Sequence, residues 1–333
     1  MTGSSSPAAD VRAAERAAVR GTPWQRIRAR VLVAGAWVVG RLPERPLFQL
    51  ADVGGRIAYR LQPGRRAQAR RNLGRVAAWA AEQGTGPDGL RAAAADPAAL
   101  ERLVEAAFRH HTRYWIELIR APRMSAAYIG ERVRIETPEV LDAALATGGA
   151  VVFVGLHYGA IELPGFYLGR VIGRGAVGPM ETVDDPELRR WFLETRATMG
   201  VRIVGLREAR RELTAAVREG AAIGIVADRD LTGGGIELPF FGHPAPLPAG
   251  PALLVLEDDV PTFAITVRRT GLGRYAARLE AIPLPPAGPR RARVEAFLAA
   301  EARAFERLIV LAAEQWWGCF HPIWPDLGPE PGR

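Results

Sequence analysis

VVFVGLHYGAIE, residues Val151–Glu162, changes periodicity at His157. Its first half is a short unbroken apolar run, the pattern of a strand covered on both faces. Its second half has helical spacing, so a strand ends near His157 and a crossover begins. The alternation continues downstream. Apolar runs GAVGP (175–179), VRIV (201–204), AAIGIVAD (221–228) and PTFAITV (261–267) alternate with helical segments at Ile161–Arg170, Pro186–Met199, Leu206–Arg218 and Gly250–Leu256. Such an order implies a mostly parallel sheet with helical crossovers. Arg274–Ile282 adds a strand with alternating faces, followed by a long helix from Pro289 to about Ala313. Upstream no strand is needed: Trp24–Leu42, Pro46–Leu61, Ala67–Ala81 and Ala98–Arg120 read as helices between Gly- and Pro-containing turns. Glu82–Asp96 reads as a low-complexity surface insertion. The expected fold class is α/β: a single domain with a mostly parallel central sheet flanked by helices, preceded by an N-terminal helical region. The expected divisions are a disordered tail (1–22), a helical region with a membrane-facing helix (23–130), an α/β core (131–327) and a short tail (328–333).

The chain has 333 residues, and all 44 of its basic residues are arginine, giving a net charge of +8. Abundant Ala and Gly point to codon usage as the ordinary source of this bias, although arginine's planar fork also suits phosphate. The charge suits nucleic acid or an anionic membrane lipid; the sequence has neither zinc-finger spacing nor an aromatic-basic RNA-binding strand, so nucleic acid is not expected, and the membrane reading needs its own evidence. A single cysteine, Cys319, cannot form an internal disulfide and suits a reducing compartment. Residues 1–20 lack the apolar stretch of a secretory signal. The apolar run Val31–Gly40 is about half of the ~20 residues a spanning helix needs. Arg26, Arg28 and Arg30 precede it and Arg41 follows it, so the segment reads either as a helix lying in the headgroup region, with Trp24 and Trp37 as interfacial anchors, or as a buried core helix. The expected location is the cytoplasmic face of the cell membrane, peripheral or monotopic.

A histidine at the carboxyl end of a strand stands where open α/β sheets place ligands. Glu162 lies five residues beyond His157. On one continuous helix the two side chains would diverge by about 140°. With His157 on the loop and Glu162 one turn into the helix, the carboxylate can reach one ring nitrogen and leave the other facing a substrate. That is the base-plus-orienter arrangement of acyl transfer. The spacing recurs by chance at His321–Asp326 (HPIWPD), where two prolines and the absence of a preceding strand favour C-terminal packing.

Further segments sharpen the reading: RRNL at Arg70–Leu73, TRATMG with Arg196 and Gly200, and DRDLTGGGIELPFFGHPAPLPAGPALLVL over Asp228–Leu256. With the His157–Glu162 segment and the Trp-rich stretch Trp316–Trp324, they resemble the lysophospholipid acyltransferase superfamily. The branch they resemble contains lipid A acyltransferases and phosphatidylinositol mannoside acyltransferases. The likeness runs from about Arg26 to Leu327. It implies His157 as catalytic base, Glu162 as its motif acid and Arg196 as a substrate-pocket cation. It also matches Glu237 to a glutamate that pairs with the histidine in the mannoside enzymes, leaving open which of Glu162 and Glu237 partners His157. Glu162 stands where the mannoside enzymes usually carry Asp and the lipid A enzymes often carry Glu. Asp228, Arg229 and Asp230 are candidate substrate-binding residues, or else a helix cap and ion pair. The implied chemistry needs no bound metal or permanent cofactor. Acyl-CoA, or acyl carrier protein in its place, is the donor, and a membrane lipid hydroxyl is the acceptor.

Two other functions fit parts of the sequence. Asp228-Arg229-Asp230 after a strand imitates the metal-binding D-x-D of nucleotide-sugar glycosyltransferases. A non-catalytic membrane lipid-binding protein would use the basic helices and tryptophans alone.

Overall fold

The computed structural model describes residues 21–181, 183–230 and 233–328; the two expected tails lie almost wholly outside them. Five helices come first: α1 (Pro23–Val39), α2 (Glu44–Leu61), α3 (Pro63–Glu82), α4 (Asp88–Ala92) and α5 (Pro97–Arg120). Local chemistry sets their starts. Thr22 and Gln25 form a reciprocal capping box before α1, with Pro23 at its first position. Asp96 accepts from the Ala98 amide at the start of α5. Between α2 and α5 the backbones come close at Gly55, where a Cβ would stand 2.6 Å from the Arg109 Cα. The segment read as a surface insertion is partly core, since it contains α4 and buries Leu90 and Ala93 in the main apolar cluster.

The α/β part follows as α6 (Ala126–Arg132), β1 (Val133–Ile135), α7 (Pro138–Ala146), β2 (Val151–Gly155), α8 (Leu163–Phe166), β3 (Ala176–Met180), α9 (Pro186–Thr198), β4 (Val201–Gly205), α10 (Ala209–Arg218) and β5 (Ala222–Val226). It continues with β6 (Ile236–Phe240), β7 (His243–Leu247), α11 (Gly250–Val255), β8 (Thr262–Gly271), β9 (Arg274–Ile282) and α12 (Arg290–Ile309). Seven strands form one sheet in the order β1-β9-β8-β2-β5-β3-β4. From β8 to β4 all neighbours are parallel, while β9 returns antiparallel to β8 and carries β1 parallel to itself. The fold is α/β as expected. The sequence reading missed α4, α6, β1, α7 and the two-stranded β6–β7 hairpin.

The central strand β2 is apolar because both faces are covered: Val151, Val152, Phe153 and Val154 are all buried. The main core joins α3, α5 and α12 to the sheet and to the C-terminal tryptophans, with Trp316 and Trp324 fully buried. Asn72, in the RRNL segment, donates to the carbonyls of Cys319 and His321, both at 2.8 Å. Arg71 donates to the Leu327 carbonyl, and Arg75 forms a bidentate pair with Asp326. This segment therefore fastens the C-terminal stretch to α3.

Candidate active site

His157 sits just beyond β2, at the carboxyl edge of the sheet, where β5 also ends. Its Nδ1 lies 2.6 Å from Oδ1 of Asp228, two residues past β5. Trp316 Nε1 donates to the other carboxylate oxygen at 2.7 Å, so both oxygens have a partner. Asp228 is completely buried. Burial opposes its ionisation, but His157 and the donated hydrogen bonds outweigh it and hold the carboxyl below its ordinary range. An ionised carboxylate only accepts, so Nδ1 carries a proton, and in the neutral ring the lone pair is on Nε2.

The C-terminal stretch builds the seat of this histidine. Tyr158 forms a bridge with Trp316, the Gly159 amide donates to the Gln315 carbonyl, and Gly318 donates to the His157 carbonyl. Trp317 meets the imidazole edge-on at a centroid distance of 4.8 Å. Gly318 has to lack a side chain, because a Cβ there would stand 2.5 Å from Asp228 Oδ2. Gly159 has φ +51°, and its missing Cβ would overlap the Val267 carbonyl. Beneath the loop, buried Arg269 donates to the Gly159 carbonyl and forms a bidentate pair with Glu117.

The expected contact between Glu162 and His157 is not formed. Glu162 instead accepts from Nε and Nη2 of Arg196 and from Tyr114 Oη at 3.3 Å. Burial works against the charge of Arg196, yet Glu162 overcomes it and raises the guanidinium pKa. The helix begun after the loop turns Glu162 towards α9 and α5, leaving the strand-end Asp228 as the acid that reaches the ring. Glu237 is not the partner either: it is exposed on β6, opposite Pro246 in the hairpin register. Asp230 accepts from the amides of Gly233 and Gly235 and so shapes the following turn. Arg229 pairs with Glu181 at 2.7 Å.

The second histidine motif forms no dyad of its own. Asp326 is held by Arg75, and burial together with Arg229 and His157 lowers the His321 pKa to about 4. Cys319 is fully buried, and burial raises its thiol pKa. Among the described residues no group of three or more His, Cys, Asp or Glu side chains could hold a metal ion.

His157, Glu162, Glu181 and Arg196 stand around a cavity of about 300 Å³ that runs along the sheet. Its deeper wall is apolar, including Phe153, Leu168, Ala176, Val201 and Ile265. Such a site has one imidazole base at the rim, an ionic cluster beside it and a narrow apolar bed behind. It can activate a hydroxyl and shelter an alkyl chain.

The sequence profile of the bacterial lipid A biosynthesis acyltransferases matches residues 90–325, most of the chain and the whole of this site. The chain belongs to the bacterial lipid A biosynthesis acyltransferase family. It is similar to the phosphatidylinositol mannoside acyltransferase of Mycolicibacterium smegmatis, 31% identical over 240 residues, covering 70% of this chain and 72% of that protein. Its likeness to the phosphatidylinositol mannoside acyltransferase of Mycobacterium tuberculosis is 31% over 230 residues, 67% of each chain. As a lipid A biosynthesis acyltransferase family member, the protein is a lipid acyltransferase that uses an acyl donor and a lipid acceptor. The motif glycine Gly200 has a physical reason in this family member: it adopts φ +80° and packs against Gly169, where a Cβ would come within 2.9 Å.

Proposed function

We propose that the protein transfers a fatty acyl chain from acyl-CoA to a hydroxyl of a phosphatidylinositol mannoside-type glycolipid at the cytoplasmic face of the cell membrane. The observation that carries this reading is the 2.6 Å His157–Asp228 bond at the rim of a cavity with an apolar bed. His157 Nε2 removes the proton of the acceptor hydroxyl, whose oxygen attacks the thioester carbonyl. The tetrahedral intermediate collapses, its C–S bond breaks, and the imidazolium returns the proton to the departing CoA thiolate. Asp228 fixes the tautomer and stabilises the imidazolium. No enzyme nucleophile is required, in keeping with the burial of Cys319. Glu162 and Arg196 position the cavity wall beside the reacting carbonyl, and the apolar bed takes the acyl chain. Arg229 remains a candidate for the acceptor's anionic headgroup.

The acceptor class is supported by the names of the two mycobacterial relatives. Membrane association is supported by α1 and α2, which expose Trp24, Val31, Trp37, Leu50 and Leu61 and carry flanking arginines. Of α1 only Ala29 is buried, so the buried-helix reading of this segment fails. No described helix is long and apolar enough to cross a membrane.

The glycosyltransferase reading requires Asp228 and Asp230 as free metal ligands, and both are already bonded by protein donors. The deciding experiment is incubation with labelled palmitoyl-CoA and separate acceptors, phosphatidylinositol mannosides, lipid A precursors and lysophospholipids, followed by mass spectrometry. Acylated mannoside that still forms in chelator is the expected product. Transfer only to another acceptor contradicts the acceptor assignment, and release of free fatty acid alone contradicts transfer.

A further inference from the structure

The bed of the cavity is missing side chains in one place. Gly155 on β2, Gly224 on β5 and Gly178 on β3 all line it, on three neighbouring strands. Gly178 has a backbone reason, since its Cβ would come 2.7 Å from the Gly224 carbonyl oxygen. Gly224 has none: a Cβ there would meet nothing within 4 Å, and no positive φ excludes a side chain. What glycine secures at Gly224 is therefore open volume above the sheet.

Directly across from Gly224 in the parallel register stands Phe153, on the same face. Four residues at ~3.3 Å each place Phe153 roughly 13 Å down β2 from His157. Phe153 and Leu168 line the far end of the cavity and also line a second apolar void of about 20 Å³, whose other walls include Leu141, Tyr167 and Leu279. Together with Pro164, Ile265 and Val267, which also line both, these two side chains stand between the voids.

We propose that Gly224 and Phe153 set the length of acyl chain the protein accepts, Gly224 keeping the bed deep and Phe153 closing its end. This rests on the reading of the cavity as the acyl bed of an acyl-CoA donor. A side chain at position 224, level with Phe153 on the neighbouring strand, fills the inner end of the bed, so a chain must stop short of it. A smaller side chain at position 153 opens the partition and joins the second void to the first. The two substitutions thus act in opposite directions.

The test is calorimetric binding of saturated acyl-CoAs, from octanoyl to stearoyl and below their micelle concentrations, to the full-length protein. Wild-type affinity should rise about fourfold with each added methylene that is buried, then level off at a limiting length. Gly224→Val should move that limit to shorter chains and Phe153→Leu to longer ones, with octanoyl-CoA bound as in wild type. Gly224→Ala, whose Cβ meets nothing within 4 Å, should move it the same way as valine by a smaller step. A clear wild-type limit that stays put in Gly224→Ala and Phe153→Leu overturns the proposal. A wild-type protein that binds no acyl-CoA of any length contradicts the donor reading itself.

Discussion

Arg196 and Glu162 form a largely buried pair in the cavity wall, so each side chain makes the other tolerable there. Arg196→Ala strands the Glu162 carboxylate and should cost about 3 kcal/mol in denaturant unfolding. Adding Glu162→Gln should restore part of that loss; a double variant as unstable as the single one would show that the pair is not coupled. Glu301 presents the opposite case. Both of its carboxyl oxygens are buried without a partner among the described residues, and burial raises its pKa well above the ordinary value. The native state therefore holds a proton that the unfolded chain releases above pH ~4.5, so this residue lowers stability increasingly as pH rises. Glu301→Leu should stabilise the protein by about 1–3 kcal/mol near neutrality and by less at pH ~4. Equal gains at both pH values would mean that the carboxyl is not held neutral. At this scale His157 was legible because a strand end is a sequence feature. Asp228 as its partner was not, because 71 residues separate them and only the adjacency of β2 and β5 brings them together. Asp228 and Trp316 each stood in a singled-out segment, yet nothing local links one segment to the other.

Helices and strands of the crossover region were legible from periodicity: β2, β3, β4, β5 and β8 fall on the apolar runs read from the chain, and β9 on the stretch with alternating faces. The β6–β7 hairpin was hidden by its prolines, Pro239, Pro244 and Pro246, which argue against a strand when read singly. β1 has only three residues, too few for a period to show. The role of RRNL was invisible for another reason: Asn72 acts on carbonyls some 247 residues away. Asn72→Ala should leave the Cys319 and His321 carbonyls unpaired and cost about 1–3 kcal/mol, read as a lower denaturation midpoint. An unchanged midpoint would mean that water replaces the amide. The α2–α5 crossing depends on Gly55, and Gly55→Ala should force the helices apart at a cost of about 1–3 kcal/mol. An unchanged unfolding curve would contradict that close approach.

Across the whole molecule, exposed apolar side chains on α1 and α2 lie on the same chain as the cavity that would take a lipid's acyl donor. A Trp24→Ala/Trp37→Ala variant should bind anionic phospholipid vesicles several-fold more weakly in sedimentation while keeping its unfolding midpoint. Equal binding would move membrane attachment elsewhere on the surface. In the proposed mechanism the strand-end aspartate, and not the helix glutamate, orients the imidazole of His157. Asp228→Asn keeps an acceptor for Trp316 but offers the imidazole no carboxylate. The measurement is single-turnover transfer from labelled palmitoyl-CoA to phosphatidylinositol mannoside by folded wild type, Asp228→Asn and Glu162→Gln. Asp228→Asn should slow transfer by about 10²–10⁴-fold and Glu162→Gln far less. Transfer by Asp228→Asn at the wild-type rate would contradict it.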